Sequence, residues 1–128
     1  MIVGVGLLFL AVMLLTGGRQ RERAASRVMV GDDSASVARL LGDPAHQCAA
    51  SNLAHLRDQF PGGTPRTTID EELARLRGET ARRWLYPEGE GCIPGKGATE
   101  IGVDREARVV WVVAARDKTP LLYTGAAR

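Results

Sequence analysis

Two histidines and two cysteines, His46, His55, Cys48 and Cys92, are the side chains of this chain best suited to metal or thiol chemistry. Zinc sites draw on such residues at short, repeated spacings. Here Cys48 stands two residues after His46 and His55 seven after Cys48, which points to no zinc site. The cysteines can instead pair. A Cys48–Cys92 disulfide would contribute about 3 to 4 kcal/mol through loop closure and requires an oxidising compartment; two buried thiols are the alternative. Asp70, Glu71 and Glu72 have the chemistry of general acid–base catalysis, yet at the start of a predicted helix the macrodipole accounts for them. Gly89, Gly91, Gly95 and Gly97 around Lys96 have the composition of a phosphate loop but neither its GxxxxGK[ST] spacing nor a following helix. No Ser-His-Asp or Cys-His arrangement accompanies them. We therefore assign no catalytic, cofactor-binding or metal-ligating set, and the chain is expected not to be an enzyme.

The elements that would position these residues begin after an uncharged stretch. Residues 1–18 carry no charge, and Thr16 is their single hydroxyl. As a helix this stretch would cover ~27 Å, close to the ~30 Å hydrocarbon core of a bilayer. It lacks the basic n-region and small-residue exit of a cleaved signal, so a retained single-pass transmembrane helix is expected. Arg19, Arg21, Arg23 and Arg27 follow at once and form a basic membrane flank. Their asymmetry favours the bacterial inner membrane with the folded domain in the cytoplasm, whereas a disulfide would favour the periplasm. Formal net charge is +2, too little to argue for nucleic acid, and no nucleic-acid-binding signature accompanies it. The chain has 128 residues, which suits one small domain beyond the anchor. It divides into the membrane helix at 1–18, a basic juxtamembrane connector at 19–30, an α+β domain at 31–116 and a tail at 117–128.

Within that domain, Asp33 or Ser34 can cap a helix whose apolar face is Val37, Leu40 and Leu41, and Gly42 with Pro44 ends it. Leu53, Leu56 and Phe60 recur at helical spacing and predict a second helix over 46–60, stopped by Pro61. Thr68 and Glu71 stand in capping-box relation ahead of Ile69, Leu73 and Leu76, predicting a third helix over 69–77 with Gly78 just beyond it. The period then changes. Residues 83–86 read as a strand and 88–97 as a loop, while 99–103 and 108–114 read as a hairpin turning at 104–106. Val109, Trp111 and Val113 alternate with Val110 and Val112 across the last strand. The prediction is a two-layer α+β domain, helices first and then a three-stranded antiparallel sheet.

Gly31-x-x-Ser34-x-x-Val37-x-x-x-Leu41-Gly42-x-Pro44, followed by Trp84-x-Tyr86 and a terminal hairpin, resembles the SmpA/OmlA (BamE-like) family of small envelope proteins. The likeness runs from Gly31 to about Ala114. It departs in lacking a lipidated cysteine and in the extra helical region between Pro44 and Trp84. The resemblance implies a BamE-like fold and a non-enzymatic scaffold packed against a larger integral membrane protein complex; no cofactor is expected, and the lipid bilayer is the partner that the uncharged stretch and its arginine flank imply. Trp84, Tyr86, Trp111, Leu121, Leu122 and Tyr123 are the candidate partner-interface residues. The expected function is thus an accessory subunit that stabilises a membrane complex, either envelope-assembly or bioenergetic. The alternative is a membrane-tethered ligand-binding or redox-sensing domain using the glycine-rich loop and Cys48/Cys92.

Overall fold

The computed structural model describes residues 23–125 of the chain. Asp33 starts the first helix by accepting the Ala35 N–H at 3.0 Å, and α1 (Ser34–Leu41) stops at Gly42, whose φ of 82° favours glycine. β1 (His46–Ala49) comes next, then a 3-10 helix (Ala54–Gln59) and α2 (Arg66–Glu79). The remaining elements are strands: β2 (Arg82–Leu85), β3 (Gly89–Glu90), β4 (Ile93–Pro94), β5 (Glu100–Val103), β6 (Val109–Val113) and β7 (Leu122–Tyr123). Five of them form one antiparallel sheet in the order β1-β2-β5-β6-β7, and β3 pairs with β4 as a separate small hairpin.

This corrects the predicted arrangement of helices followed by three strands in two layers. The sheet has five strands, because both ends of the predicted sheet gain an edge strand. β1 lies inside the stretch predicted as a second helix; of its four residues only Cys48 is buried, so it lacks the apolar alternation that announces a strand. The Leu53 and Leu56 spacing belongs to the 3-10 helix that follows. β7 lies in the predicted tail and pairs with β6 through Trp111–Tyr123 and Val112–Leu122. Helices also cover both faces of the sheet. On one face Val37 of α1, with Ala25 and Val28, packs on Tyr86, Ile101, Val103, Val109 and Val112. On the other, Leu56, Leu73 and Leu76 pack on Trp111, Val113 and Leu121. The BamE-like order of helices and then three strands therefore does not describe this chain. Residues 1–18, the predicted membrane helix, lie outside the described residues, as do Arg19 and Arg21; among the described residues no helix is long and apolar enough to cross a membrane.

The simple alternation predicted for β6 is also broken. Gly102 pairs with Trp111 but Val103 with Val109, so Val110 is an extra residue in β6. Such a bulge rotates the residues before it relative to those after it. Val110 and Trp111 consequently share the α2 face, while Val109 and Val112 face α1. Gly102 has a second job in this register. A Cβ there would overlap the indole ring of Trp111, which is fully buried and donates Nε1–H to Thr80 Oγ1 at 3.0 Å. Gly102→Ala is expected to displace that ring and lower stability by about 2 to 3 kcal/mol, the scale of core overpacking. Urea unfolding followed by tryptophan emission checks it; an unchanged midpoint would mean that the ring has room to move.

Candidate functional site

Three of the sequence-predicted candidates, His55, Cys48 and Cys92, meet on the α2 face of the sheet, at its β1–β2–β5 end. Register puts Cys48 opposite Arg83, and Arg83 opposite Gly102. Antiparallel pairing gives cross-strand partners one face, and Glu100, two residues from Gly102, lies on it too. The Glu100 carboxylate is buried. It accepts a charge-assisted hydrogen bond from Arg83 Nη1 and lies 2.8 and 3.1 Å from His55 Nε2. The buried Arg83 guanidinium also donates Nε–H to the Ala49 carbonyl at 2.8 Å and reaches the Cys92 carbonyl at 3.4 Å. It thus ties both flanks of a covalent link: Cys48 and Cys92, 44 positions apart in sequence, form a disulfide with Cα atoms 5.8 Å apart.

This constellation gathers a guanidinium and an imidazole around one carboxylate. Its charges are spent on one another and on backbone carbonyls, as buried ions must be to offset desolvation. Arg83 and Glu100 were not singled out as a pair from the sequence. The signal that could have found them is register: once Trp84 and Ile101 are placed together on one face, Arg83 and Glu100 fall on the other.

The remaining candidates are dispersed. His46 is exposed on β1, and among the described residues no three metal-binding side chains converge. Asp70 and Glu72 are not at a helix start, since α2 begins at Arg66. Asp70 pairs with Arg57 at 2.6 Å and Glu72 with Arg75. Burial pushes the Arg75 guanidinium down, but hydrogen bonds and charge from Glu72 and Glu79 outweigh it and hold the group above its ordinary range. Gly78 lies inside α2 rather than beyond it. The glycine-rich loop is the β3–β4 hairpin: a Cβ at Gly89 would strike the Ile93 carbonyl, and Gly91 turns with φ 56°. Gly89 thus serves close backbone approach and Gly91 the left-handed turn.

Of the six candidate interface residues, Trp111, Tyr86 and Leu121 are buried within the fold and offer no side chain to a partner. Trp111 and Leu121 belong to the α2-side core and Tyr86 to the α1-side core. Tyr123 is half-buried against Phe60, with ring centroids 5.3 Å apart. Leu122 is exposed, and Trp84 is half-buried. Arg23 and Arg27 of the basic flank are exposed, although Ala25 and Val28 between and beyond them are core residues.

Trp84 forms part of the wall of an open groove of about 410 Å³ on the α1 face, with Val103, Gln47, Arg82, Asp104 and Arg105 around it. The groove exists because the helical layer stops short. Along one cross-strand row, Val112 and Ile101 are fully covered, Trp84 is half-covered and Gln47 is exposed. The chain matches no protein-family model, no curated protein and no solved structure.

Proposed function

We propose that this chain is a non-enzymatic accessory subunit of a larger membrane protein complex, associated with the bilayer through its uncharged N-terminal sequence. The observation that carries this proposal is the division of labour between the two faces at one end of the sheet. On the α2 face, Glu100, Arg83, His55 and the disulfide are committed to one another. On the α1 face, Trp84 and its polar rim are left open. A domain that locks its reactive groups internally and presents an aromatic groove is suited to holding a partner, since half-buried aromatics with a polar rim are typical interface anchors. The Cys48–Cys92 bond supports an oxidising compartment for the domain, against the cytoplasmic side that the arginine flank favours.

The test is purification of the tagged full chain from its own membranes in mild detergent. A stoichiometric large assembly is the expected result; a monomer alone would end the proposal. The compartment is checked separately. In native membranes Cys48 and Cys92 are expected to take up no maleimide until a reductant is added, as bonded thiols must. Labelling of both without reductant would return the domain to the cytoplasm.

A redox-sensing domain is the second reading, favoured by one observation: Cys92 is exposed on the β3–β4 hairpin while Cys48 is buried. Its mark would be reduction at mild potentials accompanied by a change in partner binding.

A further inference from the structure

Arg82 and Arg105 stand on the Trp84 groove without a carboxylate of their own. Both are exposed, and neither forms an ion pair among the described residues. Arg82 Nη1 donates to the neutral Gln47 side chain at 3.3 Å. Of the acids nearby, Asp104 and Asp33 are engaged in local turns. Asp104 Oδ1 accepts from the Glu106 and Arg108 N–H groups at 3.0 and 2.9 Å. Asp33 caps α1 through the Ala35 N–H. Two unpaired guanidiniums beside an apolar wall of Trp84 and Val103 therefore define the chemistry of what fits.

We infer that the groove receives an acidic segment of a partner protein, with one apolar side chain seated against Trp84 and carboxylates on Arg82 and Arg105. This rests on the accessory-subunit proposal above and adds the surface and the chemistry of the partner. Guanidiniums favour carboxylates because their planar donors meet both oxygens at once. The indole supplies the buried contact area that fixes the position of the segment. Complementary charge of this kind also suppresses basic or neutral competitors and speeds encounter.

The experiment uses the full chain in its native membranes, with the photo-crosslinking residue p-benzoylphenylalanine at position 47 and, as a control, at exposed position 71 on α2. The expected result is a crosslink from position 47 that maps to a net-negative partner segment and falls at least tenfold in Arg82→Glu/Arg105→Glu. The two arginines are exposed, so the double variant is expected to melt with the parent protein, and its melting curve is recorded alongside. Three results overturn the inference. The crosslinked segment is not acidic; the crosslink survives charge reversal in a folded protein; or position 47 is silent while the complex is recovered intact. In the last case the accessory-subunit proposal stands and this surface alone is wrong. If no complex is recovered at all, both fall together.

Discussion

Glu100→Ala is expected to lower the stability of the domain by about 3 to 5 kcal/mol, the range for removing one partner of a buried ion pair. The loss comes less from the missing attraction than from what is left behind. Arg83 is buried and would keep its charge with no carboxylate to meet it, while His55 would lose the acceptor 2.8 Å away. Arg83 pairs with no other carboxylate among the described residues. It must either remain unpaired or swing towards solvent, abandoning the carbonyls of Ala49 and Cys92. The double variant Glu100→Leu/Arg83→Met removes both charges and is expected to be more stable than Glu100→Ala, because apolar replacement of a whole buried pair is often neutral or stabilising. Denaturant midpoints for Glu100→Leu, Arg83→Met and the double complete the cycle. A loss below about 1 kcal/mol in Glu100→Ala, the value of an exposed pair, would mean that water reaches the carboxylate and that the cluster is not buried.

How far this cluster was legible in the sequence depends on what each residue must satisfy. The first helix was readable because Asp33, Val37, Gly42 and Pro44 are local signals, each acting within a few residues. The β5–β6 hairpin was readable for the same reason: two apolar runs flank a turn built by Asp104. β1 was not. His46, Gln47 and Ala49 are exposed, and an edge strand with one inward residue carries almost no pattern. Leu53 and Leu56 then drew it into a helical reading, although their three-residue spacing is shared with a 3-10 turn. The bulge at Val110 was illegible as well, since two adjacent valines look identical whether they alternate or not. Its visible cause is across the sheet, in a register shift between Gly102 and Val103. The Glu100–Arg83–His55 contacts span 17 and 45 residues, beyond any local signal. Burial of Trp111, Tyr86 and Leu121 follows from the same gap. With three strands one sheet face is left over for a partner, and with five strands and two helical layers those side chains are the core.

Removing the disulfide, by Cys48→Ala/Cys92→Ala or by reduction, is expected to lower stability by roughly 4 kcal/mol, the loop-closure value for a link across 44 residues. For a domain whose total is on the order of 5–15 kcal/mol, that is a large share. The damage should be local first. β1 is a four-residue edge strand with Cys48 as its one buried residue, so with the bond gone it is held by its pairing to β2 and by the Arg83 contact to Ala49. Hydrogen exchange should therefore rise in β1 and the β3–β4 hairpin before it rises in β5 or β6, as expected for a low-stability unit beside a buried one. Uniform protection across all strands in the reduced protein would show that β1 is held by other means. Arg83 links this loss to the first one, because its guanidinium joins Glu100 to the Cys92 carbonyl. Combining Glu100→Ala with the cysteine substitutions should cost less than the two losses added, since contacts shared by both are lost once. β1 also carries Gln47, on the rim of the Trp84 groove. If the groove receives an acidic segment as proposed, reduction should weaken its capture, because loosening β1 disturbs both Gln47 and the contact it accepts from Arg82; the oxidised bond would then be a structural condition for binding on the opposite face of the sheet.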